Sequence, residues 1–371
     1  MNVLQSIGVA VIGSTLIASA NVANAEEVAV GSAAESYETV VVDSTASKKR
    51  RYNAWSFAFD NDLLVPGSRD QDYTYGVSAT LSSESGPSSA WSLDTPLQWI
   101  DQRSGLSPLN LDLGAEVRTY STELGLYGFT PENIVSEEVS AGDRPYASLL
   151  YLSNSREYEG ESANTVWRST FTVGVLGLDI VGDLQNEVHA IVGSDEAKGW
   201  RNQISDGGEP TARYSVARQR LWSSGHSNVE IKTSVQGSVG YLTELSYGVS
   251  VRVGHIATRW QSFNPELASY REHSVPVLVG KGFRESYFSA GIAVKARAYN
   301  AFLQGQFRDS ALEYSAGDLN NGILEAWAGY THIFTSGYRI SYTLRGHSSE
   351  LKRGVGDRSV VWGGLTLTKN Y

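Results

Sequence analysis

The chain contains no cysteine and a single methionine in 371 residues. Without thiols there is no disulfide scaffold, no thiolate metal site, no cysteine nucleophile and no acylated lipoprotein cysteine. Charge is scarce: Asp, Glu, Lys and Arg make up 19% of the chain, against about 25% in an ordinary soluble domain. Positive charge is the scarcer sign, with 30 Lys and Arg against 40 Asp and Glu and a net charge of −10. That balance argues against a nucleic-acid partner, which needs a basic face. Beyond the first 25 residues no apolar run approaches about 18 residues, so no helix spans a membrane. A β-barrel is not excluded, because its signal is alternation rather than a run. There is no Gly-x-Ser-x-Gly elbow, which leaves a serine-hydrolase route little support. What the chain has in quantity is aromatic side chains and glycine: 9 Trp, 20 Tyr, 10 Phe and 37 Gly. Its length allows one large domain or two ordinary ones.

Residues 1–25 carry no charged side chain, hold an apolar core over 7–18, and end in Ala23-Asn24-Ala25 before Glu26-Glu27. The pattern predicts a secretory signal peptide cleaved after Ala25, although its first residues lack a Lys or Arg. Residues 26–52 are polar, include Lys48-Lys49-Arg50-Arg51, and read as a mobile tail. The basic run is a solvated segment or a contact for anionic headgroups on the periplasmic side.

From residue 53 onward the dominant period is two. In Val229–Tyr241, Val, Ile, Thr, Val, Gly, Val and Tyr alternate with Glu, Lys, Ser, Gln, Ser and Gly. Residues 246–254, 338–345 and 73–81 behave alike, so Tyr73, Tyr75 and Val77 fall on one apolar face. A soluble sandwich alternates too. Tyr and Trp near strand ends favour a membrane barrel with interfacial girdles. So does the alternating, aromatic-ended terminus 360–371: lipid offers the backbone no hydrogen bonds, so a sheet must close there. The strand candidates are 53–60, 73–82, 114–126, 146–156, 165–176, 211–223, 228–241, 244–254, 287–298, 322–334, 337–347 and 359–371. Twelve strands close an all-β, transmembrane antiparallel barrel over 53–371 with both ends on the periplasmic side. The parity leaves two long segments, 84–111 and 255–286, at the periplasmic end, where turns are usually short. It turns Glu230, Lys232, Arg252, Lys295, Arg297, Arg339 and Arg345 into the lumen, where they suit a plugged interior at least as well as a pore.

Between 178 and 194 the period changes. Leu184, Val188, Ile191 and Val192 form one helical stripe, with Asp183 as a candidate cap. The stripe must pack on the barrel mouth or on lipid. Gln185 and His189 are four residues apart and therefore neighbours beside it. His189 is then a candidate general base between helix and wall. The other histidines (His226, His255, His273, His332, His347) have no comparable setting. Asp60-Asn61-Asp62 reads by itself as a turn. Strand parity puts Asp60, Asp62, Thr74 and Gly76 on the lumen face and Asn61 outward.

Several of these segments occur together, in order, in one known family. Phe59-Asp60-Asn61-Asp62 is followed by Asp70-Gln71-Asp72-Tyr73-Thr74-Tyr75-Gly76, then by Thr130-Pro131 and Asp143-Arg144-Pro145-Tyr146-Ala147. Next come Gln185-Asn186-Glu187-Val188-His189, Gly199-Trp200-Arg201-Asn202-Gln203 and Glu209-Pro210, and finally 297–305. The ordered set resembles the outer-membrane lipid A 3′-O-deacylases across nearly all of 53–371. The resemblance implies a twelve-stranded outer-membrane barrel, inserted by the barrel-assembly machinery, with an extracellular site. It implies a Ca²⁺-dependent ester hydrolase that removes the 3′ acyl or acyloxyacyl chain from the lipid A of lipopolysaccharide. By the same resemblance His189 activates water, Gln185 and Asp195 are pocket residues, and Asn61, Asp62 and Thr74 form the polar, calcium-associated cluster. Asp195 either orients His189 or belongs to the calcium shell. Arg144 would suit a lipid A phosphate. One departure is the acidic loop 130–142 (Glu132, Glu137, Glu138), where relatives can carry basic residues. A phospholipase-type esterase shares all these residues, and a narrow channel or inactive barrel shares the architecture.

Overall fold

The computed structural model describes residues 54–65, 71–84, 86–87, 92–105, 116–159, 162–223, 228–268, 270 and 284–370. The expected signal peptide (1–25) and tail (26–52), and also Asp70, His226 and His273, lie outside the described residues.

Alternation becomes a closed antiparallel barrel. Its strands are β1 (Ala54–Asn61), β2 (Asp72–Ser83), β3 (Glu116–Thr130), β4 (Ala147–Glu159), β5 (Thr165–Leu176), β6 (Glu209–Leu221), β7 (Val229–Gly240), β8 (Leu242–His255), β9 (Glu285–Asn300), β10 (Gly322–Ile333), β11 (Tyr338–His347) and β12 (Val360–Asn370). Each strand pairs with its sequence neighbours, and β1 closes on β12 from Ala54↔Asn370 to Asn61↔Gly363. All twelve expected strands are present. Phe57, Leu124, Leu245, Ile292 and Leu365 on the outer face are exposed, as a lipid-facing belt requires.

The lumen is packed with charge. Arg252 pairs with Glu230 at 2.6 Å, Lys295 with Glu325 at 2.6 Å, and Arg297 with Glu244 at 2.8 Å. Arg345 also pairs with Glu325, and Arg339 donates to the Tyr287 hydroxyl at 2.8 Å. We term the end that carries connections 62–71, 131–146, 177–208, 301–321 and 348–359 the upper rim. Near it, Tyr73, Tyr127, Phe129, Tyr270, Phe302 and Trp362 form an aromatic core inside the barrel.

The two long lower connections are insertions with different destinations. In the first, helix α1 (Asp94–Ser104) lies on the outer face of β4 and β5. Asp94 accepts two bonds from Arg156 at 2.7 and 2.6 Å, and Asp101 accepts from Tyr158, Ser169 and Tyr214. Only Leu97 among its apolar residues is fully buried, so polar contacts hold this helix and no apolar periodicity announces it. Of the second connection, residues 258–268 enter the lumen. Glu266 accepts from Gln219 at 2.5 Å and Ser250 at 3.2 Å, and pairs with Lys232 at 2.9 Å. Arg345 donates to the Pro265 carbonyl at 2.5 Å. This segment fills the interior with protein.

Two expectations from strand parity fail at the upper rim. The β2–β3 register shifts between Tyr73 and Tyr75. This bulge, with Thr74 as the extra residue, turns Tyr73 into the lumen against Tyr270 and Trp362 while Tyr75 stays outside. Strand β1 ends at Asn61, and Asp62–Leu64 then form a 3₁₀ turn. The turn folds over the outer wall, where Tyr342 donates to the Leu64 carbonyl at 2.7 Å. Asp62 is thus beside the outer wall rather than on the lumen face.

Candidate active site

Helix α2 (Ile180–Val192) forms within the 177–208 connection. Asp183 does not cap it. The helix starts three residues earlier, with Asp179 at the N-cap position making no side-chain cap bond. Asp183 sits instead in the first turn, where its charge suits the helix dipole. Gly193 ends the helix in the left-handed conformation (φ 77°), and its N–H and that of Ser194 donate to the His189 carbonyl.

The helix lies on the outer wall beside β2 and β3. Val181, Gln185 and His189, at i, i+4 and i+8, are the buried face. The Tyr75 hydroxyl donates to the Val181 carbonyl at 2.7 Å. Tyr75, Ile134, Tyr146, Val181, Ala197 and Trp200 form one apolar cluster. Within it the Tyr146 and Trp200 rings are 5.0 Å apart, a contact worth about 0.5–1.5 kcal/mol beyond area burial. Gly182 permits the approach: a Cβ there would stand 2.6 Å from Cγ of Trp200.

His189 is 5% exposed, and its Nδ1 lies 2.5 Å from the Asp195 backbone carbonyl oxygen. A carbonyl can only accept, so Nδ1 carries a proton, and in the neutral tautomer of that ring the basic nitrogen is Nε2. Asn186 fixes the loop that supplies this carbonyl: it donates to the Ala197 carbonyl at 3.1 Å and accepts from the Ala197 N–H at 2.8 Å. The Asp195 side chain itself is exposed. Gln185 is held from the other side. Its Oε1 accepts from Trp200 Nε1 at 2.8 Å, and its buried Nε2 has no partner among the described residues. Trp200 and Asn186 stand inside the quoted motifs, yet spacing alone gave neither a role.

The polar cluster adjoins this assembly through Tyr75, the cross-strand partner of Asn61. Asn61 donates to the Thr74 carbonyl at 2.7 Å and accepts from the Leu63 N–H at 2.7 Å. Asp62 is buried and accepts from the Gln71 N–H at 2.8 Å, and the Thr74 and Thr130 hydroxyls are 2.6 Å apart. A polar cluster facing lipid would be costly, but these side chains are all buried. Carboxylate, amide oxygen and hydroxyl are hard donors of the kind Ca²⁺ takes, and the Asn61 amide oxygen keeps a second lone pair. The donor set therefore fits calcium, with further oxygens due from backbone, water or substrate. Among the described residues no group of three or more His, Cys, Asp or Glu stands ready for a metal.

Arg144 sits elsewhere. Its side chain is 4% exposed, pairs with Glu350, lies 3.8 Å from Asp72, and stacks over Phe129 at 4.5 Å. Burial pulls its pKa below the usual guanidinium value. The phosphate contact expected of Arg144 needs an accessible guanidinium, whereas this one ties loop 131–146 to loop 348–359. In the acidic loop, Glu137 pairs with Arg201 at 3.2 Å and the Glu132 N–H donates to Asp143 at 2.8 Å.

The model of the family described as outer membrane protein LpxR matches residues 18–371. Among solved structures, the chain resembles LpxR from Salmonella typhimurium with a TM-score of 0.66 and 18% identity, over 86% of this chain and 100% of that one. At that identity the likeness speaks for the fold. The β domain of the Bordetella autotransporter BrkA aligns with a TM-score of 0.41 and 10% identity, over 86% and 99% of the two chains. No curated protein matches the chain.

Proposed function

The chain belongs to the outer membrane protein LpxR family, and from that premise we propose that it hydrolyses the 3′ ester-linked acyl or acyloxyacyl chain of lipid A. The site would face the extracellular side, in the outer leaflet. One observation carries the reading: the Asp195 carbonyl fixes the His189 tautomer, where the buried face of the helix meets the barrel wall beside a buried oxygen cluster.

In this reading the substrate enters from the lipid side, with its ester between α2 and the wall. His189 Nε2 takes a proton from water as the water oxygen attacks the acyl carbon. The imidazolium that forms keeps its Nδ1–H on the Asp195 carbonyl. Gln185 Nε2 is the donor for the developing oxyanion, and Trp200 keeps its amide turned that way. As the carbon–oxygen ester bond breaks, His189 returns the proton to the sugar oxygen. The products are a carboxylic acid and a sugar hydroxyl. Asn61, Asp62 and Thr74 would hold Ca²⁺, which when bound polarises the ester carbonyl.

The test is a lipid A mass spectrum from cells overproducing the protein, with calcium and with chelator. Loss of the 3′ chain, abolished by His189→Ala in a barrel that still migrates as folded, supports the reading. An unchanged acyl count with folded wild-type protein in the membrane overturns it. Fatty-acid release from phospholipid vesicles free of lipopolysaccharide would point to a phospholipase instead.

A further inference from the structure

Helix α2 turns three large aliphatic side chains away from the wall, an arrangement ill-suited to a helix bathed in water. Among the side chains described, the face on the wall carries Val181, Gln185 and His189, two of them polar. A second face, about 120° round the helix, carries Ile180, Leu184 and Ile191, which are 53%, 39% and 84% exposed. At 100° per residue these three lie within about 40° of one another on the helical wheel. In an aqueous loop the aliphatic stripe would be buried and the amide and imidazole would face out. Something apolar must cover the stripe.

The surroundings of the helix identify that cover. The helix packs on outward-facing Tyr75, with Leu126 against the same cluster. Leu124, two residues along β3 on the same outer face, is 58% exposed and belongs to the lipid belt. The helix therefore begins where the belt ends, and its stripe continues the belt. Asp183 and Glu187 are exposed beside the stripe, which limits insertion to the boundary between headgroups and acyl chains.

We propose that α2 is an interfacial helix whose Ile180–Leu184–Ile191 stripe lies among the acyl chains of the leaflet around the upper rim. The occupant is bulk membrane hydrocarbon. With the outer face in lipid and the wall-facing side carrying His189 and Gln185, the helix is a partition between the acyl region and those two side chains. The inference needs only an outer-membrane barrel, so it stands or falls separately from the hydrolase reading.

The absence of cysteine makes the test direct. Single variants Leu184→Cys and Ile191→Cys receive nitroxide labels in full-length protein reconstituted into phosphatidylcholine vesicles. Leu365→Cys in the belt and Arg353→Cys on an exposed loop are the references. Collisions with oxygen, which concentrates in hydrocarbon, are compared with collisions with an aqueous nickel chelate. The expected result is loss of nickel contact and gain of oxygen contact at 184 and 191, to the level of the Leu365 label. Nickel contact at the level of the Arg353 label overturns the proposal. So does disulfide-linked dimer from unlabelled Ile191→Cys, which would make the cover a second copy of the chain. Both substitutions are on an exposed face, so the fold is retained, and no step of the test requires turnover.

Discussion

His189 and Asp195 meet through the imidazole Nδ1 and a backbone carbonyl oxygen, 2.5 Å apart, and the Asp195 carboxylate takes no part in that bond. The orienting group is therefore a property of the loop rather than of the side chain at 195. Asp195→Asn should leave deacylation within a few-fold of wild type, the scale of about 0.5 kcal/mol typical of surface changes. His189→Ala should cost roughly 10²–10⁴ in kcat. The two variants assayed side by side decide the matter: equal losses would show that the carboxylate does the orienting.

Gln185 and Trp200 make a graded pair. Gln185→Ala removes the proposed oxyanion donor and should lower kcat by about 10²–10³ with little change in KM. Trp200→Phe keeps the ring packing but removes the Nε1–H that holds Oε1. Its expected cost is one hydrogen bond, about 1 kcal/mol, or roughly fivefold in kcat. A larger effect of Trp200→Phe than of Gln185→Ala would contradict the assigned order.

Gly182→Ala tests the seating of the helix. Alanine is favoured in a helix interior by about 1 kcal/mol over glycine, so an isolated α2 would gain. Here the added Cβ would meet Trp200 at 2.6 Å and push the helix off the wall. Activity should fall and protease sensitivity within 177–208 should rise. Unchanged activity would mean that the helix is not held in the described seat.

Asp62 brings a buried carboxylate to the proposed calcium cluster. Asp62→Ala should raise the calcium concentration for half-maximal activity. The rise should at least match the roughly 10–100-fold effect of losing an outer-shell partner at a metal site. A calcium titration of vesicle-bound enzyme reads this directly, and an unmoved midpoint would remove Asp62 from the cluster.

In the lumen, Lys232 and Glu266 are a buried pair at 2.9 Å. Removing one partner strands the other charge, at about 3–5 kcal/mol. Lys232→Met or Glu266→Leu alone should lower the temperature at which the barrel loses its compact electrophoretic mobility. The double variant should recover much of the loss. Single and double variants of equal stability would show that the pair carries no such coupling.

The alternation of residues 53–371, together with Tyr and Trp near the strand ends, determined the barrel, because a strand between lipid and a polar lumen must change character at every step. The same local rule placed the lumenal charges and revealed α2, where the period shifts to that of a helix. The motifs brought His189, Gln185, Asn61, Asp62 and Thr74 to notice. Tertiary structure decided the rest. One bulge reversed Tyr73, because a single added residue exchanges the two faces of a strand. Arg144 went inside, since its partners Glu350 and Asp72 come from distant segments. Residues 258–268 went into the lumen while α1 went outside, a choice made by polar contacts that have no period. Above all, an apolar stripe on α2 with Leu184 and Ile191 in it could be read from sequence, but the outward direction of those two residues, and of their neighbour Ile180, could not. Protein and lipid satisfy an aliphatic face equally well, so only the packing of Tyr75 and Trp200 against Val181 and Gln185 fixed which side faces the wall.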